Sequence, residues 1–203
     1  MSIARLTIAT ALALSSLCVL AQDKKPDLAK GEASFSAVCG ACHGADGNSA
    51  VPENPKLAQQ HPKYLIKQLQ EFKSGKRNNA IMTAFAGTLS DDDMVNIAFW
   101  LASKPAKPGF AKDKELVALG ERIFRGGIAE RKIAACAGCH GPNGAGIPSQ
   151  YPRLSGQHAG YGVAQLTAFR DGARVNSLPM AQVAARLNDR EIRAVADYMA
   201  GLH

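Results

Sequence analysis

Apolar residues recur at helical spacing in three stretches, and then the same three stretches come round again. Leu28 to Val38, Pro62 to Ser74 and a run from Ser90 to about Ala102 form the first set. Lys114 to Arg125, Ala159 to Asp171 and a run from Asn188 to about Gly201 form the second. In the run after Ser90, Met94, Ile97, Ala98 and Leu101 fall on one helical face. Gly75 and Gly172 follow the middle helices as stop signals. Ser90-Asp91-Asp92-Asp93 and Asn188-Asp189-Arg190-Glu191 open the last helices, each with a capping oxygen followed by acids in the first turn. No run alternates convincingly between apolar and polar residues, so the pattern predicts an all-α chain.

The first 21 residues follow a different pattern. Arg5 precedes an apolar stretch from Leu6 to Leu20, and Val19-Leu20-Ala21 ends it with residues suited to a signal peptidase. This predicts a secretory signal over residues 1–21 that is cleaved, rather than an anchor, for which the run is short. Leu17 is too large for a lipoprotein signal, so Cys18 leaves with the peptide. No later stretch is apolar and long enough to span a bilayer.

The two sets are copies. Pro55-Lys56-Leu57 matches Pro152-Arg153-Leu154, and Gln60-His61 matches Gln157-His158, each 97 residues on. Tyr64, Gln68, Phe72 and Gly75 match Tyr161, Gln165, Phe169 and Gly172 at the same offset. Pro179 is an extra residue, after which Met82 pairs with Met180 and Trp100 with Tyr198 at an offset of 98. Eight residues are inserted in the second copy, within Arg125 to Ala135. Two copies are too few for a solenoid and predict two domains joined head to tail. The proline-rich stretch at Ser103-Lys104-Pro105-Ala106-Lys107-Pro108-Gly109 suits neither helix nor strand interior. The expected division is 22–103 for the first domain, 104–112 for a linker and 113–203 for the second domain.

Composition narrows the function. Lys and Arg number 24 against 17 Asp and Glu, giving a net charge of +7 with no long basic run. That argues against a nucleic-acid tail. Aromatic residues are only 6%, thin for domains of this size unless another apolar body fills the core.

The cysteines supply that body. Apart from Cys18 they occur as Cys39-Gly-Ala-Cys42-His43 and Cys136-Ala-Gly-Cys139-His140. C-x-x-C-H is the attachment motif of c-type haem. Two thiols on one turn add to the two vinyl groups of a haem, and the adjacent histidine becomes an axial ligand of its iron. A thioredoxin-like C-x-x-C belongs with a βαβ pattern, which is absent here, and structural disulfides would leave both histidines unexplained. A Cys/His zinc site fits secretion and this motif less well. Cys39, Cys42, Cys136 and Cys139 are therefore expected to carry two covalent haems c, with His43 and His140 as iron ligands.

The opposite face of each iron needs a second decision, because methionine, histidine or an open position gives different chemistry. Of the methionines after residue 21, Met94 aligns with Ile192 and Met199 with Leu101, so neither is repeated. Met82 and Met180 match each other, 39 and 40 residues after their histidines. Both are expected on loops, free to approach the iron. His61 and His158 also repeat, but Pro55 and Pro152 lie 12 residues after the ligating histidines. In a cytochrome of this kind a proline carbonyl there would bond the histidine Nδ1–H on the proximal side and fix its orientation. Only six residues then remain to reach the far side, so His61 and His158 are expected to be hydrogen-bonding or surface residues.

Several stretches resemble the cytochrome c4 family along nearly the whole chain after residue 21. They are Phe72 to Asn79, Gly126 to Glu130, Cys139 to Gly146 and Pro152 to His158. The resemblance implies two class I cytochrome c domains related by a pseudo-twofold, with His43/Met82 and His140/Met180 as ligand pairs. It implies that Gly31, Phe35 and Trp100, and likewise Gly120, Phe124 and Tyr198, mark the crossing of first and last helices. It implies a periplasmic electron carrier, not an enzyme, working between a donor such as a quinol-oxidising complex and an acceptor such as a terminal oxidase. Loose association with the inner membrane goes with that reading. The alternatives are a cytochrome subunit of a larger sulfide- or alcohol-oxidising enzyme and a dihaem peroxidase.

Overall fold

The computed structural model describes residues 25–203, so the signal-peptide expectation for residues 1–21 lies outside it. Ten α-helices occur among the described residues: α1 (Leu28–Val38), α2 (Gly40–His43), α3 (Pro62–Lys73), α4 (Ala80–Gly87), α5 (Asp91–Ala102), α6 (Lys114–Gly126), α7 (Ala137–His140), α8 (Ala159–Arg170), α9 (Leu178–Ala184) and α10 (Asp189–Ala200). There is no β-strand among these residues, only two isolated bridges, Ile128 with Ile133 and Ile147 with Tyr151. The first of these closes the eight-residue insertion into a compact loop beside α6.

The helix ends are set by side chains that satisfy the free N–H groups of the first turn. Asp27 caps α1, Asn79 caps α4 and Asp113 caps α6. Ser90 with Asp93 and Asn188 with Glu191 form reciprocal capping boxes on α5 and α10. Ser74 and Asp171, expected as the last helical residues, are the C-caps of α3 and α8.

Each domain is organised by one crossing of its first and last helices, α1 on α5 and α6 on α10. Gly31 lies under the backbone of Asn96, and Gly120 under that of Ala194. Without a Cβ at either position the helix axes approach closely. One turn on, Phe35 meets Trp100 with ring centroids 4.8 Å apart, and Phe124 meets Tyr198 at 5.5 Å. Phe35 and Phe124 are fully buried. Around these pairs lie Leu65, Leu89, Met94, Ile97 and Leu101 in the first domain. Ile123, Ile133, Leu166, Leu187, Ile192 and Val195 serve in the second. The middle helices α3 and α8 pack on α5 and α10 and leave one side to a cavity.

The segment between the domains is held along its length. The Asn48 side chain bonds Pro105 O at 3.0 Å and Lys107 N at 2.7 Å. Asp197 accepts from the backbone N–H groups of Lys112 and Asp113.

Candidate functional site

Both C-x-x-C-H sequences wind into single helical turns, α2 and α7. The turn puts both thiols and the following histidine on one short arc. His43 N bonds Cys39 O at 3.0 Å, and His140 N bonds Cys136 O at 2.9 Å. The four cysteines form no disulfide. Burial pushes the Cys39 and Cys136 thiols up to about 11. A redox dithiol has the opposite, a lowered thiol pKa.

The histidines are buried, at 6% and 5% exposure for His43 and His140. His43 Nδ1 lies 2.9 Å from Pro55 O, and His140 Nδ1 lies 2.9 Å from Pro152 O. Each imidazole thus donates through Nδ1, which leaves Nε2 as its acceptor nitrogen. Burial lowers the pKa of both rings, with the proline carbonyls acting the other way, which favours the neutral form that ligates a metal. The surroundings of the two turns differ. Asn54 donates to Cys42 O at 3.0 Å, whereas its counterpart Tyr151 sets its ring edge-on to His140 at 5.8 Å.

A single cavity of about 890 Å³ runs through both domains. Cys39, Cys42, His43 and Met82 line it from the first domain, and Cys136, Cys139, His140 and Met180 from the second. All eight residues singled out in the sequence therefore share one cavity. The two methionines are not on loops, however. Met82 is the third residue of α4, and Met180 the third of α9. Asn79 Oδ1 accepts from Met82 N at 2.9 Å and fixes the start of α4. Neither helix shows in the apolar pattern, because α4 is short and apolar nearly all round and α9 carries Pro179 in its first turn.

Two residues on the cavity wall escaped the sequence reading. Arg77 and Arg174 are 7% and 8% exposed. Each stacks over a phenylalanine of its own domain, Phe72 or Phe169, at 4.4 Å. Arg77 donates to Gln68, Tyr161 and Gln165 at 2.7–2.9 Å. Arg174 donates to Gln165, Gln68, Tyr64 and Asn176. All these partners are neutral, and neither arginine forms a salt bridge among the described residues. The one buried carboxylate nearby, Glu71, is taken by Lys67, Lys76 and Asn176. Burial pushes its pKa up, but the bonds from Lys67, Asn176 and Lys76 outweigh that and hold it below the ordinary value.

Two buried guanidinium groups on an apolar cavity call for anions inside it. The fit to haem c is direct. Its apolar ring suits the cavity, its vinyl groups the paired thiols, its iron the imidazoles, and its negative carboxylates the buried arginines. The signal for Arg77 and Arg174 lay in the repeat itself, which places both at the same offset as Tyr64, Gln68 and their counterparts.

Comparison with known proteins agrees with this geometry. The cytochrome c family model matches twice, over residues 28–105 and 117–203. Cytochrome c4 of Pseudomonas aeruginosa is 48% identical over 181 residues, covering 87% of this chain and 89% of that protein. A protein of Stutzerimonas stutzeri described as a thiosulfate dehydrogenase electron acceptor is 39% identical over 196 residues, covering 93% of this chain and 90% of its own. The crystal structure of reduced recombinant cytochrome c4 from Pseudomonas stutzeri superposes with a TM-score of 0.84 at 43% identity, over 88% of this chain and all of that one. The chain belongs to the cytochrome c4 family, and is an electron-transfer protein of two cytochrome c domains with two covalently bound haems c.

Proposed function

We propose that this chain is a periplasmic two-electron-capacity carrier in a respiratory chain, with His43/Met82 and His140/Met180 as the axial ligand pairs. The observation that carries the ligand assignment is the shared cavity wall, on which each proline-held histidine is matched by one repeated methionine. Bound haem c supplies a one-electron ferric/ferrous couple at each site. The chain's own residues fix its surroundings. Methionine sulfur favours the reduced form and raises the potential, and burial excludes water. Methionine ligation by Met82 and Met180 would leave neither haem an open position for peroxide, which disfavours the peroxidase reading. The proposed division into 22–103, 104–112 and 113–203 follows the same repeat.

The ligand assignment has a spectroscopic test. Oxidised protein should show the weak near-infrared sulfur-to-iron band at an intensity fitting two Met-ligated haems per chain. Met82→His and Met180→His should each remove about half of it and lower one potential. Retention of the full band in either variant removes that methionine from the ligand set.

The donor in this reading is a quinol-oxidising complex, and the acceptor a terminal oxidase. The likeness to a thiosulfate dehydrogenase electron acceptor favours a second reading, in which the donor is a thiosulfate-oxidising enzyme. Co-purification of the native protein, followed by reduction assays with each donor, separates the two. A subunit of a larger oxidoreductase would stay bound through that purification.

Charge bears on docking. Residues 104–203 carry 14 Lys and Arg against 8 Asp and Glu, whereas residues 22–103 balance at 9 each. The second domain is proposed to meet an acidic partner surface or anionic lipid headgroups, and the first the other redox partner. Long-range steering of this kind weakens as salt rises. Charge reversal of exposed Lys and Arg in the second domain should slow reduction or oxidation with one partner and flatten its salt dependence. Unchanged rates and salt dependence with both partners would reduce the asymmetry to solvation.

A further inference from the structure

The histidine-to-proline bonds do not end at the prolines. Pro55 C=O and Lys56 N–H belong to one peptide group, and Lys56 N donates at 2.9 Å to Oε1 of Gln157 in the other domain. The mirror chain runs from His140 through Pro152 C=O and Arg153 N–H to Oε1 of Gln60, at 2.8 Å. The amides are oriented unambiguously. Gln157 Nε2 donates to Lys56 O at 2.9 Å, and Gln60 Nε2 donates to Arg153 O at 2.9 Å, so in each case Oε1 is the atom left to accept. Each Oε1 also accepts from the next backbone N–H, that of His158 or His61. Gln60 is 7% exposed, and both glutamines line the shared cavity.

We propose that Gln157 positions and polarises His43, and Gln60 does the same for His140, so that each domain tunes the iron ligand of the other. Donation by the Lys56 N–H draws electron density toward the Pro55 oxygen. That oxygen becomes a stronger acceptor for His43 Nδ1–H, and the ring's other nitrogen becomes a stronger donor to iron. Bonds in such a chain strengthen one another by roughly 10–30% each. The two-point clasp also fixes the plane of the proline carbonyl and hence the angle of the imidazole. The proposal deepens the ligand reading above and rests on His43 and His140 being the iron ligands.

A plain interface clasp is the competing account, and His158 separates the two. His158 Nε2 bonds Ser49 O across the same interface at 2.9 Å, and its imidazole, unlike its backbone N–H, lies outside the histidine–proline–peptide chain. The experiment is NMR of the full oxidised holoprotein with ¹⁵N-labelled histidine, assigned through Cys42–His43 and Cys139–His140, together with a potentiometric titration. Gln157→Met keeps the side-chain length and removes the acceptor. It should shift the His43 ring signals, speed exchange of its Nδ1 proton about threefold to tenfold, and raise the first haem's potential alone. Gln60→Met should do the same to His140 and the second haem. His158→Leu should leave the His43 ring where it was.

If His158→Leu moves His43 as far as Gln157→Met does, the effect is interface loosening and the proposal fails. It fails equally if Gln157→Met moves the ring of its own domain, or neither ring. Absence of hyperfine-shifted signals from His43 and His140 in the unaltered protein would instead overturn the ligand reading beneath it.

Discussion

Replacing both Cys39 and Cys42 by serine is expected to unfold the first domain while the second keeps its haem. The reasoning starts from size. A domain of some 80 residues buries too little apolar surface to be secure by itself. Here the shortfall is visible, because Leu65, Ile97, Leu101 and Phe35 close the core from one side and face the cavity on the other. Without a covalent haem these walls have no partner. The Arg77 guanidinium, hydrogen-bonded only to neutral partners, is then left beside an apolar gap with no counter-charge, and His43 keeps its bond to Pro55 but loses the partner of its other ring nitrogen. Together these losses are on the order of the whole stability of such a domain. Haem content should fall from two to one per chain, and limited proteolysis should cut within residues 25–103 while sparing the remainder. A first domain that stays compact and protected without haem would show that its side chains alone make the core.

The reach of the sequence follows from the length over which a signal is written. Two-domain organisation was legible because the repeat extends through Pro55, Gln60, Tyr64, Gln68 and Phe72 to Trp100, far beyond chance. The long helices were legible to within a residue or two because α1, α5, α6 and α10 combine caps with an apolar stripe. The four short helices were not. A single turn such as α2 or α7 has no periodicity to detect, and α4 and α9 hide behind uniform apolarity and a proline. The methionines were consequently expected on loops, although Asn79 before α4 and Ser177-Leu178-Pro179 at α9 carry start signals. The interface was the least visible. Arg77 and Gln157 gain their meaning only when the copies face each other, and nothing in a linear repeat states that its halves meet through their repeated polar residues.

A large effect of a single substitution without loss of a cofactor bond is expected at the helix crossings. Alanine normally favours a helix over glycine by roughly 0.8–1.0 kcal/mol, so propensity alone predicts that Gly31→Ala and Gly120→Ala stabilise. Packing reverses the sign. A Cβ on Gly31 would lie 2.2 Å from Asn96 O and 2.6 Å from its carbonyl carbon. On Gly120 it would lie 2.1 Å from Ala194 O and 2.7 Å from Tyr198 Cβ. These atoms belong to backbone or to its first side-chain carbon, so no side chain can swing away and the helices must part. Overpacking of that kind costs about 1–3 kcal/mol, and the rigid neighbours put both sites at or above the upper end. Gly87 and Gly126 provide the control. Both are helical, neither would have an atom within 4 Å of a new Cβ, and alanine there should be neutral or mildly stabilising. The two crossings should differ in what they do to the haem sites. Cys39 is the C-cap of α1, so parting α1 from α5 moves a thiol directly, whereas eight additional residues separate α6 from Cys136 and absorb the shift. Gly31→Ala should therefore lower the thermal transition of its domain and alter that domain's haem spectrum. Gly120→Ala should lower the transition of the second domain with much less spectral change. Thermal unfolding followed at the haem bands and by far-ultraviolet circular dichroism reads both quantities, and an unchanged transition in Gly31→Ala and Gly120→Ala would mean that the crossings are not as tight as the backbone contacts make them.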